Sequence, residues 1–137
     1  MAILELTRDE IDEFLHEQVV GRVGCHADGV TYVVPLIYAY DGDAVHVASI
    51  GGRKIEMMRA NPSVCFEVDE YRPDGWRSAI VQGVYEELTG ADVEESLDLL
   101  QARFGRKGSE SNRRLAGPTT VVFRIVIRDV TGRAVRR

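Results

Sequence analysis

The sequence predicts a mainly β domain with short helices, its six strands forming an antiparallel barrel. Three observations carry this. Six runs rich in β-branched and aromatic residues lie along the chain, some alternating strictly between apolar and polar positions. Hairpin-length turns join the early runs, which makes neighbouring strands antiparallel. Six antiparallel strands in a small domain bury their apolar face most simply by closing on themselves, which also hides their edges.

The elements follow in order. Thr7-Arg8-Asp9-Glu10 has the T-x-x-E form of a capping box, and Ile11, Phe14, Leu15 and Val19 follow at helical spacing. This predicts an amphipathic helix over about 8–17. Val20–His26 is a short strand, and Asp28-Gly29 a turn. Val30–Tyr40 is a second strand; Asp41-Gly42-Asp43 turns it into a third, Ala44–Ser49. A short helical pattern, with Ile55 and Met58 one turn apart, stops at Asn61-Pro62. Ser63–Glu70 alternates, with Val64, Phe66 and Val68 on one face and Cys65, Glu67 and Asp69 on the other. A polar loop, Tyr71–Gly75, leads to Trp76–Leu88, where Gly83 predicts a bulge or bend. Asp92 to Glu95 repeats the capping pattern, and Val93, Leu97, Leu100 and Phe104 mark a helix over about 92–104, stopped near Gly105. Residues 105–118 read as a mobile polar loop, and Thr119–Asp129 as the last strand.

Composition bounds the function. The 137 residues make one domain's worth of chain, taken as a single domain over 1–137. With 45% hydrophobic and 28% charged residues the chain is not a disordered one. It has no apolar run of membrane-spanning length and no signal-peptide pattern at Met1–Glu5. Cys25 and Cys65 do not make a disulfide framework. The expectation is a soluble protein of a reducing cytoplasm, without membrane partners. Net charge is −5, unevenly spread: residues 5–17 carry six acids against Arg8, and residues 103–137 ten bases against Glu110 and Asp129. A basic tail can touch nucleic acid, but no nucleic-acid motif appears. The favoured reading is an arginine-rich face that pairs with the acidic helices or binds a small anion.

Chemistry concentrates in Ala48–Pro62. A strand ends at Ser49, Gly51 and Gly52 follow, and then Arg53 and Lys54 open a helix. Glycines let backbone approach a ligand, and a helix N-terminus offers free amides and a positive dipole end. The result is a candidate phosphate corner without the P-loop spacing. Cys25 and His26 are adjacent in a strand and point to opposite faces, so with Asp28 and His46 they make no metal set. Cys65 lacks a neighbouring base, Ser78 lacks a nucleophile elbow, and the helix carboxylates are solvated faces. No catalytic side chain is assigned, so any chemistry would come from a bound cofactor.

Five segments in register carry a resemblance: Gly21 to Gly24, Val33 to Tyr38, Val47-Ala48-Ser49 with Gly52 and Lys54, Asn61 to Val68, and Trp76 to Gly83. Over about residues 10–130 the chain resembles the FMN-binding split barrels, in the branch of pyridoxamine-phosphate-oxidase-like flavoproteins that includes the nitroimidazole-resistance proteins. The resemblance implies a six-stranded split barrel and a homodimer with one FMN in each of two interface clefts. It implies that Lys54 and Ser49 hold the phosphate with Arg53 nearby, and that the backbone of Val34, Pro35, Leu36 and Ile37 lines the isoalloxazine edge. Trp76, Arg77 and Ser78 match the family's W-x-S segment near the phosphate, on the same or the other subunit; Gln82 and Arg124 are added candidates. Pro35, with no amide to donate, suits a strand edge left open for a flavin ring. The C-terminal substrate signature of the pyridoxamine-phosphate oxidases proper is absent, so vitamin B6 oxidation is not expected. In the nitroimidazole-resistance branch a histidine sits near the flavin, and His26 and His46 are the candidates. The expected activity is flavin-mediated hydride or electron transfer to or from a small planar substrate. The alternatives are a flavin-binding or storage protein without turnover, and a deazaflavin-dependent reductase.

Overall fold

The computed structural model describes residues 2–115 and 119–136, and for 106–115 the backbone alone. Eleven elements follow one another: β1 (Ile3–Glu5), α1 (Arg8–Glu17), β2 (Val20–Ala27), β3 (Val30–Ile37), β4 (Ala39–Tyr40), β5 (Ala44–Ile50), α2 (Arg53–Ala60), β6 (Ser63–Arg72), β7 (Gly75–Glu87), α3 (Ala91–Leu115) and β8 (Thr120–Arg136). The chain is mainly β with three helices, and every strand pairing is antiparallel.

The sheet runs β3-β2-β6-β7-β8-β5-β4, with β1 added beside β8. Its two ends are β3 and β4, which are consecutive in the chain and joined by Tyr38 alone. A single linking residue spans at most about 7 Å between its neighbours' Cα atoms. The sheet must therefore curl until its ends meet at Tyr38, yet β3 and β4 exchange no ladder. The barrel is split along that seam. Tyr38 is fully buried there, and its hydroxyl donates to the Leu15 carbonyl at 2.6 Å. The predicted strand 30–40 is thus two strands on opposite sides of the seam. With β1, this raises the expected six strands to eight.

The alternation read in Ser63–Glu70 holds. Val64, Phe66 and Val68 are buried in the core with Val23, Val45, Val47, Val81, Phe123 and Ile125. The α1 capping box forms in both directions: Glu10 N–H donates to Thr7 Oγ1 (3.2 Å), and Thr7 N–H to Glu10 Oε1 (2.9 Å). The helix buries Ile11, Phe14 and Leu15.

Three boundaries differ from expectation. The loop read at 71–75 is a tight hairpin, because β6 runs to Arg72 and β7 begins at Gly75. Strand β8 continues to Arg136 through Thr131-Gly132, which looks like a turn in sequence. Gly132 is there because α1 packs on it: a Cβ would lie 2.7 Å from Ile11 Cγ1. Finally, 106–115 is helical rather than loop. Gly105, at φ 63° and ψ −147°, breaks the helix, which then resumes to Leu115. Residues 116–118 of the expected loop lie outside the described residues, as do the side chains of Arg106, Lys107, Arg113, Arg114 and Arg137. Of the arginines described in this stretch, Arg136 pairs with Glu10 of the acidic helix α1 (3.8 Å), Arg124 with Glu86 of strand β7 (2.6 Å), and Arg103 donates to the Glu17 carbonyl (3.0 Å).

Candidate cofactor site

The corner after β5 is built as the glycines suggest. Gly51 N–H donates to the Thr119 carbonyl (3.1 Å), which fixes the turn. Gly52 then caps α2 with no side-chain hydrogen bond. A Cβ on Gly52 would meet nothing within 4 Å, and its backbone is extended (φ 168°). Neither crowding nor conformation inside the chain requires glycine there, so the open backbone is free for an outside group to approach. Helix α2 turns Ile55, Met57 and Met58 into the core.

Two cations, Arg53 and Lys54, lie at this corner. Arg8, Arg22, Arg59, Arg72, Arg77, Arg124 and Arg136 each hold a carboxylate. Among the described residues Arg53 and Lys54 hold none, and neither do Arg103, Arg128 and Arg133. The Arg53 guanidinium lies 5.1 Å from the centre of the Tyr32 ring on β3. Lys54 is half-buried, and burial pushes its pKa below the usual lysine value. A partly desolvated ammonium without a counter-ion is a site waiting for an anion. Ser49 is buried, and its hydroxyl donates to the Ile50 carbonyl at 3.1 Å.

Strand β3 is an edge strand, with one side of its backbone unpaired in the sheet. Pro35 falls on it as expected. Val34 and Leu36 pack against the core, while Pro35 and Ile37 face outward and are exposed. Through Arg53 and Tyr32 the corner and this edge are neighbours. The β7 candidates lie elsewhere. Trp76 lines a cleft of about 290 Å³ at the β6–β7 hairpin, beside Arg72 and Asp74. Gln82 lines another, of about 490 Å³, with His26, Cys65 and Arg128, and donates to Cys65 Sγ (3.7 Å). Arg77 sits on the α1 side, bonded to Glu70 (3.0 Å) and Glu17 (3.3 Å) over the Phe14 ring. Neither β7 cleft shares a residue with the clefts at the corner. On one chain the candidates therefore do not converge on a single cleft.

The structure separates the histidines. His46 is buried: Nδ1 lies 2.8 Å from Ser96 Oγ and Nε2 2.7 Å from Asp41 Oδ2. This serine–histidine–aspartate line resembles a nucleophile relay in spacing, but Ser96 is 1% exposed, so no substrate reaches it. It pins α3 to β5 and to the turn that precedes β5. Sequence reading missed it because the partners lie 50 residues apart; the only signal was Ser96 on the buried stripe of α3 with Leu100. His26 is exposed and bonded to Thr31 Oγ1 (2.9 Å), on the outer face with Gln82. Arg22, also on that face, bridges Glu67 (3.2 Å) and Asp69 (3.0 Å). Burial and the adjacent Asp69 push the Glu67 carboxyl up to about 7, against the opposing pull of Arg22.

The fold is an antiparallel split barrel, and comparison places the chain in a family. The sequence matches the pyridoxamine 5'-phosphate oxidase family over residues 7–134, and the chain belongs to that family. It is similar to an FAD-binding protein from Mesorhizobium loti of known crystal structure: 38% identical, over 98% of this chain and 97% of that one, with a TM-score of 0.84. It shares its fold with a crystal structure assigned to 5-nitroimidazole antibiotic resistance from Bacteroides thetaiotaomicron, 20% identical, over 97% and 87% of the two chains, with a TM-score of 0.75. An uncharacterized protein from Rhizobium meliloti is 33% identical over 89 residues, 64% of this chain; the match spans 59% of that relative's length. The expected resemblance to pyridoxamine-phosphate-oxidase-like flavoproteins is thereby borne out.

Proposed function

We propose that the protein is a flavin-dependent oxidoreductase that works as a homodimer. The observation that carries this is the pair Arg53 and Lys54, without carboxylate partners among the described residues, beside the open backbone of Gly52. A phosphate carries nearly two negative charges, and these two cations with the amides of α2 can offset them. The site fits an FMN moiety, and the FAD-binding relative supports a flavin nucleotide. Arg53 and Lys54 hold the phosphate, and the unpaired edge of β3 at Val34–Ile37 receives the rim of the ring by backbone hydrogen bonds. Trp76, Ser78 and Gln82 reach the cofactor from the partner subunit, because one chain keeps them apart from the corner.

A bound flavin supplies hydride or electron transfer; the chain's own residues bind, orient and exclude water around a small planar substrate. Cytoplasmic residence accords with two free cysteines, and no helix among the described residues is long and apolar enough to cross a membrane.

The test is the visible spectrum of the purified protein before and after acid release. A yellow protein with two bands in the visible and near ultraviolet, releasing FMN or FAD, is expected. A colourless protein that fails to take up either flavin overturns the reading; saturable uptake of a deazaflavin would then assign that cofactor instead.

A further inference from the structure

The cleft of about 490 Å³ that Gln82 and Arg128 line opens on the outer face of the sheet, across β2, β6, β7 and β8. Its volume falls within the range of roughly 300–1,000 Å³ usual for small-molecule sites. Two features of the backbone shape it. Gly24 lies in the middle of β2 and lines the cleft. A Cβ there would meet nothing closer than 3.9 Å, and its φ is not positive. Glycine weakens a strand interior, and here neither crowding nor conformation requires it. What it provides is bare peptide that a ligand can approach closely. The second feature is the register shift at Gln82/Gly83, which leaves Arg128 out of the ladder and at the cleft. Bulges re-aim side chains in this way and recur beside active sites.

Charge then selects the ligand. Arg128 is exposed and holds no carboxylate among the described residues. No aspartate or glutamate lines this cleft, whereas the one at the β6–β7 hairpin carries Glu70 and Asp74 and those at the corner carry Glu56. Burial, and then the nearby Glu67, push the Cys65 thiol up, so it stays neutral. Gln82 donates to Cys65 Sγ at 3.7 Å, a weak acceptor that its amide can exchange for a stronger one. A free guanidinium beside an amide donor suits a carboxylate. The rest of the wall, bare Gly24 with the Cys65 sulfur and Val84, is an apolar stretch of sheet surface that suits a planar ring.

We propose that this cleft binds a small aromatic carboxylate. Arg128 and Gln82 take the carboxylate, and the ring lies on Gly24 beside Cys65 and Val84. Resting on the flavin reading above, in which Gln82 reaches the partner subunit's cofactor, this anion is the planar substrate of that flavin.

The experiment titrates the full-length protein, first saturated with FMN or FAD, with benzoate by calorimetry, and records the visible spectrum alongside. Benzoate is expected to bind with a Kd below about 1 mM and to shift the flavin bands. Benzamide, its neutral counterpart, is expected to bind at least about tenfold more weakly. Arg128→Gln, exposed and outside the ladder, is expected to weaken benzoate by at least about tenfold. Gly24→Leu fills the cleft and is expected to do the same; should it fail to fold, Arg128→Gln decides. Benzoate that does not saturate, or that binds Arg128→Gln as tightly as the unaltered protein, overturns the anion cleft and leaves the flavin reading intact. Binding through Arg128 that leaves the flavin bands unmoved overturns the substrate assignment. Binding through Arg128 by a protein that takes up no flavin supports the anion cleft and overturns the flavin reading.

Discussion

Lys54 is the residue on which the phosphate site depends, because its charge has no carboxylate partner among the described residues. An ammonium held partly out of water with no anion costs folding free energy instead of supplying it. Lys54→Ala is therefore expected to leave thermal stability within about 0.5 kcal/mol of the unaltered protein. The same change is expected to weaken flavin binding by roughly tenfold or more, the scale of a lost charge-assisted hydrogen bond. Unchanged affinity in a fluorescence titration would remove the phosphate corner. Glu67 offers a second reading at this scale. Its folded pKa, about 7, stands above its ordinary value of 4.5, so the folded protein holds that proton more tightly than the unfolded chain. Stability should fall as pH rises from about 4.5 to 7, and the penalty should persist above. Glu67→Gln is expected to flatten that slope and raise the melting temperature at pH 8; an unaltered pH profile would refute the assignment. Of these residues, the cation pair was legible because chemistry and chain neighbours coincide. The Ser96–His46–Asp41 line and the engagement of Arg77 by Glu17 and Glu70 were not, because each depends on elements far apart in sequence.

At the scale of elements, patterning was legible wherever one face is buried and one wet. All six expected strands exist, and the bulge expected at Gly83 is present: Gln82 pairs with Asp129 but Gly83 with Ile127, leaving Arg128 unpaired between them. A Cβ on Gly83 would lie 2.5 Å from Ile125 Cγ2 and 2.7 Å from the Val126 carbonyl oxygen. Gly83→Ala is thus expected to destabilise the fold by about 1–3 kcal/mol, the cost of overpacking a core, read as a lowered denaturation midpoint. A midpoint within error of the original would mean that the strand pair yields there freely. The misread elements share one cause. Strand β1 is three exposed residues that exist only because β8 has a free edge for Ile3, Leu4 and Glu5. The far half of β8 carries Asp129, Thr131 and Gly132, a turn-like run held straight by β7 on one side and α1 above. Tertiary partners, not local preference, decide such segments.

At the scale of the whole molecule the unexplained feature is a sheet face. Val20, Val33, Ile37 and Ile80 are 46%, 60%, 56% and 40% exposed, on strands β2, β3 and β7 of one sheet. Register puts Val20 opposite Ile37, Val33 opposite Gly24, and Ile80 in line with Glu67 and Arg22. Apolar side chains clustered on a sheet around a buried-leaning carboxylate mark a surface that prefers cover. A two-fold pairing of this face would cover it with its own copy. It would also bring the outward-facing Trp76, Ser78 and Gln82 of one chain toward the corner of the other, which a single chain does not do. Dimerisation and cofactor binding should then fail together. Val33→Glu places a charge at the centre of the patch without touching the core or the cations. It is expected to yield a monomer by light scattering at micromolar concentration, with flavin affinity falling at least about tenfold although Arg53 and Lys54 remain. A dimer that persists, or a monomer that binds flavin as before, would show that each chain holds its cofactor alone and that this face serves another contact.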